Sequence, residues 1–125
     1  MRLLLDSHVL LWWAEIQPNR LRPDIRSAID NAAFVSVSAA SVWELEIKRQ
    51  ARRLDVGAFR WQMLSSRDVA ILPIDTDDAL AAARQPLLHR DPFDRMIVAQ
   101  AMRREFTLVT ADAALARYAV PTLGA

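Results

Sequence analysis

Leu3-Leu4-Leu5-Asp6-Ser7, residues 3–7, is the stretch that decides the fold. Three apolar residues in a row leave no polar face, which is the pattern of a strand buried on both sides, as in a parallel sheet covered by helices. The run stops at Asp6, and Ser7 is a residue type that caps helices, so a helix is expected over about 8–15. Gln17-Pro18-Asn19 breaks it. Working outward, Pro23 opens a second helix to Ala33, with Ile25, Ala28, Ile29 and Ala32 at helical spacing. Phe34 to Val37 reads as a strand by its aromatic and β-branched content. Ser38 caps a long helix from Ala39 to about Arg53, and Leu54 to Gly57 is a break. A helix carrying Phe59, Trp61 and Met63 is expected over 58–66, then a strand over 69–74 that Pro73 limits. Thr76 caps a helix through Ala83, and 85–90 is a loop. Asp91-Pro92 opens a strong helix to about Glu105, since proline is pre-organised at the first helical position. Phe106 to Val109 is a strand, Thr110 caps a short helix to about Tyr118, and Val120 to Leu123 forms a last short strand. Strands alternating with helices predict a three-layer α/β/α sandwich around a mostly parallel sheet. No linker, repeat or low-complexity stretch interrupts it, so residues 1–125 are expected to form one domain.

Composition narrows the chemistry. The chain has 125 residues, no cysteine and two glycines. Without cysteine there are no disulfides, thiolate nucleophiles or thiolate-bound zinc. Gly57 and Gly124 cannot build a phosphate-cradling glycine loop. The net charge of +1 is too small to signal a nucleic-acid binder by bulk electrostatics. Fifteen of the sixteen basic residues are arginine, with Lys48 the one lysine. Arginine forks grip phosphate or carboxylate, although GC-rich coding accounts for most of this excess more simply. Asp6 and His8 interrupt the apolar amino terminus before it resembles a secretory signal. The apolar run Val9 to Ala14 falls far short of the ~20 residues of a membrane span. A cytoplasmic protein is expected.

In parallel sheets ligands bind beyond the carboxyl ends of the strands. Asp6 ends the first strand there, Glu44 lies in the helix after the second, Asp91 and Asp94 open the helix before the fourth, and Asp112 follows that strand. Each has a plain structural explanation. Asp6 and Asp91 suit helix caps, Glu44 suits an i,i+4 bridge to Lys48, and Asp94 and Asp112 suit first helical turns. Together, Asp6, Glu44, Asp94 and Asp112 are expected on one rim, where carboxylates repel and raise one another's pKa. A divalent cation resolves that conflict. Oxygen ligands without cysteine point to magnesium or manganese, and such an ion suits phosphodiester hydrolysis.

LLLDSHVLLWW (3–13), SAASVWELEIK (38–48), HRDPFDRMIVAQA (89–101) and LVTAD (108–112) resemble the PIN-domain family, more narrowly its VapC-type toxins of bacterial toxin–antitoxin pairs. The resemblance runs in order along nearly the whole chain, and HRDPFDRMIVAQA is its most specific segment. It implies a PIN-like fold, a Mg2+- or Mn2+-dependent endoribonuclease acting on RNA, a cognate VapB-type antitoxin that occludes the acidic pocket, and a homodimer. By position Asp6, Glu44 and Asp94 match the family's central metal-binding acids and Asp112 a more variable fourth. Asp91 matches an acid of the subgroup, with its cap role a full alternative. Ser7 and Thr110 match hydroxyl positions beside the acids.

On this reading Asp6 and Asp94 hold the metal, Glu44 ligates it or orients the attacking water, and Asp112 completes the site or recruits a second ion. Arg95 either clamps phosphate or pairs with an acid. Arg90 and the Arg49, Arg52, Arg53 cluster offer charge to an RNA backbone, though a solvated helix face explains the cluster more simply. His8 and His89 are expected to position or pack, not to act as bases. A non-catalytic PIN-like module binding RNA or protein is the alternative. A phosphoryl-accepting receiver domain is excluded, because it needs a lysine ending a late strand and Lys48 is elsewhere. Trp12, Trp13, Trp43 and Trp61 are more than so small a core requires. Core packing is the default for each, and Trp61, on a peripheral helix, is the example expected to anchor an antitoxin or dimer contact.

Overall fold

Leu3, Leu4 and Leu5 expose no surface at all. Alternate side chains of a strand point to opposite faces, and these three divide accordingly. Leu3 and Leu5 enter one core with Val9, Leu10, Ile25, Ile29 and Leu45. Leu4 enters the other with Ile97, Val98, Leu108, Leu115 and Tyr118. Burying each leucine contributes roughly 1.5–3 kcal/mol, so the strand is fixed from both sides.

The computed structural model describes residues 1–17, 20–88 and 90–125. Pro18 and Asn19, in the expected helix break, and His89 lie outside the described residues. The elements are β1 (Arg2–Leu5), α1 (Ser7–Trp13), α2 (Pro23–Asp30), β2 (Phe34–Ser38), α3 (Ala39–Gln50), α4 (Gln62–Ser66), β3 (Val69–Leu72), α5 (Thr76–Arg84), α6 (Pro92–Arg103), β4 (Thr107–Thr110), a 3-10 turn (Leu115–Arg117) and β5 (Thr122–Gly124). The sheet order is β3-β2-β1-β4-β5. Every pairing is parallel, so the expectation of a mostly parallel sheet sharpens to an all-parallel one among the described residues. From β1 the chain builds outward through β2 to β3, then crosses back to lay β4 on the other side of β1. The crevice beyond the ends of β1 and β4 is therefore the topological switch point, where such sheets bind ligands.

Four local expectations are corrected. Ser7 does not cap α1; Asp6 does, accepting from the Val9 amide at 2.8 Å. Thr76 does not cap α5; Asp75 does, in a reciprocal capping box with Asp78. In both places an acid precedes the hydroxyl residue, and its extended backbone aims the carboxylate at the amide three residues on. The helix expected over 58–66 shrinks to Gln62–Ser66. Asp55 accepts from the Gly57 amide at 2.8 Å, and Gly57 takes φ +56°. That turn delays helix entry and leaves Phe59 and Trp61 before the helix, ring against ring at 5.3 Å. Finally, Thr110 caps no α-helix: its hydroxyl donates to Asp6 and accepts from the Asp112 amide, and the chain goes on to the 3-10 turn at Leu115–Arg117.

The second core layer is locked by a buried carboxylate that the sequence reading passed over. Asp78 of α5 is wholly buried. It accepts from Arg104 at 2.6 Å, from Gln100 at 3.2 Å, from the Asp75 amide at 3.1 Å and from Arg103. Gln100 and Arg104 also donate to the Pro73 carbonyl. Burial pushes the Asp78 carboxyl up, but the hydrogen bonds of Arg104, the Asp75 amide, Gln100 and Arg103 outweigh it and hold its pKa at about 2. The network ties α5 to α6. Its folded pKa lies below the ordinary 3.8, so its stabilisation is present above about pH 4 and lost as pH falls through about 2. Asp78→Asn is expected to lower stability by roughly 2 kcal/mol at pH 7. Urea unfolding from pH 7 to pH 2 should show that difference shrinking toward zero at the acid end.

Candidate active site

Asp6 stands at the switch point. Its amide donates to the Val109 carbonyl at 3.1 Å, which pins the end of β1 to β4. The residue is only 4% exposed. One carboxylate oxygen caps α1 through Val9, and the other accepts from the Thr110 hydroxyl. Thr110 Oγ1 in turn accepts from the Asp112 amide at 3.0 Å, and Asp112 Oδ1 accepts from the Ala114 amide at 2.9 Å. Burial raises the Asp6 pKa. The Thr110 hydroxyl, the Val9 amide and His8 pull it back, the charge of Asp112 pushes it further up, and the net shift is upward. Among the described residues no cation forms an ion pair with Asp6, and His8 acts on it only through its charge.

Beside it, Ser7 Oγ donates to Glu44 Oε1 at 2.6 Å in a buried contact. Ser38 caps α3 through the Ala40 amide at 2.9 Å. The helix then buries Ala40, Ser41, Glu44 and Leu45 on one face. The bridge to Lys48 exists, at 3.6 Å from Glu44 Oε2. It does not make Glu44 a surface residue, since Glu44 is 8% exposed.

Asp91 caps α6, accepting from the amides of Phe93 at 2.8 Å and Asp94 at 3.4 Å. Asp94 is half-buried in the first turn. Phe93 meets Trp43 of α3 edge-on at 5.1 Å, which sets the start of α6 against α3. Arg95 neither reaches out to solvent as a phosphate clamp nor forms an ion pair among the described residues. Its Nη2 donates to the carbonyls of Gln85 at 2.8 Å and Ala83 at 3.3 Å, strapping α6 to the end of α5. His8 is exposed, tilted against Trp12.

The structure therefore links Asp6 and Asp112 through Thr110, and places Glu44 on the serine that follows Asp6. Among the described residues, no three acidic or histidine side chains are grouped as a ready metal cage. The donor set still fits a hard ion. Magnesium takes one or two carboxylates and keeps several waters, and Asp6 supplies a buried oxygen pair whose charge is unbalanced.

An open cleft of about 550 Å³ reaches Glu44 and Asp91, lined also by Ile47, Lys48, Arg53, Arg90, Pro92 and Phe93. Of the tryptophans, Trp13 is buried with its Nε1 donating to Asp30 at 3.0 Å. Trp61, the expected anchor, is half-buried and donates to Glu46 at 2.8 Å. Trp43 is the outlier at 64% exposed. The sequence held that signal: if Glu44 and Leu45 face inward with Ala40 and Ser41, helical spacing turns Trp43 and Ile47 outward.

The PIN domain family model matches residues 3–121. The chain belongs to the PIN-domain family. Ribonuclease VapC22 of Mycobacterium tuberculosis is 32% identical over 121 residues, covering 94% of this chain and 92% of its own. Among solved structures, FitAcB from Neisseria gonorrhoeae superposes with a TM-score of 0.69 at 20% identity, covering 98% of this chain and 96% of its own. DNA-bound VapBC from Salmonella typhimurium gives 0.68 at 18% identity, covering 99% and 98%. These two share the fold of this PIN domain.

Because burial and Asp112 raise the Asp6 pKa, its ionisation weakens the fold as pH rises past the ordinary carboxylate range. Asn also caps helices well. Asp6→Asn is therefore expected to melt at or above the parent temperature at pH 7 in EDTA, the gain vanishing below about pH 4 where the parent acid is protonated. Thermal melts across pH 3–8 check this. A lower melting temperature at pH 7 would show that capping and the Thr110 bond outweigh the buried charge.

Proposed function

We propose that this PIN domain is a divalent-metal-dependent endoribonuclease, the toxin of a toxin–antitoxin pair. The observation that carries the reading is the buried, under-neutralised Asp6 at the switch point, with Asp112 beside it through Thr110 and Glu44 held by Ser7. The 32% identity to a ribonuclease over nearly the full chain supports the substrate class. Asp6 and Asp94 would hold Mg2+ or Mn2+, Glu44 would ligate it or orient the attacking water, and Asp112 would complete the site or recruit a second ion. When bound, the ion supplies an activated water and neutralises charge on the phosphoryl oxygen.

The chain's own residues set the geometry. Thr110 and Val9 fix the two Asp6 oxygens, so the carboxylate meets its ligand without reorienting. Ser7 fixes one Glu44 oxygen, while Lys48 balances the other. Asp91 starts α6 and thereby places Asp94 in its first turn; any role as a further acid of the site is secondary to that cap. In-line hydrolysis leaves a 5′-phosphate and a 3′-hydroxyl. The partners are RNA, a VapB-type antitoxin protein that occludes the acids, and a second copy of the chain. No helix among the described residues is long and apolar enough to cross a membrane, and we place the protein in the cytoplasm, where its substrate is.

A non-catalytic binding module is the second reading, favoured by the absence of a ready three-ligand group among the described residues. Calorimetric titration with manganese separates the two, since only the nuclease needs a site that Asp6→Asn removes. Asp6→Asn and Asp94→Asn are expected to abolish metal-dependent cleavage of total RNA with circular dichroism unchanged. Ser7→Ala and Thr110→Val, which loosen the carboxylates without removing them, should lower activity about 10–100-fold. Full activity in either aspartate variant removes that acid from the mechanism.

A further inference from the structure

Trp43 has no core to fill, yet it borders the acids. It precedes Glu44 on α3, and its ring meets Phe93, the residue before Asp94, at 5.1 Å. The contact is edge-on, 75° between planes, and the side chain remains 64% exposed. An aromatic ring braced by a second ring and open to solvent presents a flat apolar surface of the size of a nucleobase. Phe93 also lines the 550 Å³ cleft that holds Lys48, Arg53 and Arg90. Arg53 and Arg90 are exposed, and neither enters an ion pair among the described residues. Lys48 leans on Glu44 at 3.6 Å but keeps part of its surface open. Cations along a groove with an aromatic at its edge are the features that hold single-stranded nucleic acid: the cations track the phosphates and the ring stacks a base. A base paired in a duplex has no free face to offer the ring. Ile47, Pro92 and Phe93 add apolar lining that would also suit a protein partner, but the exposed cations Arg53 and Arg90 along the same cleft favour a polyanion.

We propose that Trp43, braced by Phe93, stacks an unpaired base of the RNA substrate, and that Arg53 and Arg90 guide the adjoining backbone past Glu44. The proposal rests on the ribonuclease reading and adds to it a base-stacking residue, Trp43.

The test is binding of a fluorescein-labelled 12-nucleotide single-stranded RNA of mixed sequence, and of the same strand in a duplex, by anisotropy in EDTA, where cleavage is off. The parent should prefer the single strand. Trp43→Ala should weaken single-strand binding about tenfold, Trp43→Phe should restore most of it, and neither should change duplex binding. Arg53→Glu with Arg90→Glu should weaken both RNAs and flatten the salt dependence. Equal affinity of parent and Trp43→Ala for the single strand overturns the proposal, as does equal loss with Phe and Ala. Loss of self-association or of antitoxin binding in Trp43→Ala, with RNA binding intact, assigns the ring to a protein contact and also overturns it. Cleavage of the same RNA on adding Mn2+ tests the ribonuclease reading separately. Cleavage with no Trp43 effect sinks only the platform, whereas stacking without cleavage sinks only the nuclease.

Discussion

The structure depends on one constraint: β1 is covered on both faces and paired on both edges. Its three leucines each fill a core, so the strand cannot shift by a residue without driving an apolar side chain out of its layer. The residue after them has no freedom either. Asp6 is delivered below the surface, between two parallel neighbours, with its amide already given to Val109. A carboxylate in that place is costly unless its oxygens are met. The fold meets them with neutral donors, a helix amide and a threonine hydroxyl. That leaves the charge without an ion-pair partner among the described residues, which is the ground for the proposed cation there.

Asp78 shows what a structural acid looks like in the same molecule. Both side chains are buried. Asp78 is held by two guanidinium groups, an amide and a side-chain amide, and its carboxyl falls to about 2. Asp6 is held by neutral groups and faces Asp112, and its carboxyl rises. Burial acts upward on both, so the partner chemistry decides the sign. A fold that could neutralise Asp6 with one of fifteen arginines spends Arg103 and Arg104 on Asp78 instead. The contrast supports the proposed role of Asp6 as a carboxylate for a ligand beside Asp78 as one for stability, and it lies in the contacts, not in the size of either shift.

The fold was legible because its signals are local. The apolar run of β1, Pro23 and Pro92 at helix starts, and the β-branched strands each state their element within a few residues. What misled were places where two residues compete for one role. Asp6 and Ser7, like Asp75 and Thr76, are both good caps, and choosing between them needs the backbone direction. Once Asp6 takes the cap, Ser7 is released to Glu44, thirty-seven residues away, a contact no local pattern encodes. Thr110 was misread in the same way, as a cap, when its hydroxyl reaches back to Asp6. The candidate acids were found from strand ends and motif spacing. The hydroxyls were found from the family pattern, while their partners came only with the tertiary structure. Asp78 was missed because a first-turn aspartate looks like ordinary helix chemistry until Arg103 and Arg104 close over it.

The arginine excess also changes meaning. A GC-rich coding bias would account for the number of arginines, but not for where the side chains go. Arg26 donates to the carbonyls of Trp12 and Trp13, and Arg95 to those of Ala83 and Gln85. Arg67 lies over the Trp13 ring at 4.0 Å and Arg2 over that of Phe106 at 4.5 Å. These are uses of a planar, always-charged fork that lysine's single ammonium does not reproduce. Many arginines are thus committed to loop ends and rings, which is why a net charge of +1 says little about partners. Arg53 and Arg90 stay exposed, and their position in one cleft with Glu44 and Phe93 carries the information that the total charge does not. The one lysine sits against Glu44 Oε2 at 3.6 Å, a single loose contact where, on the proposed reading, a bidentate guanidinium would compete with the metal for both oxygens.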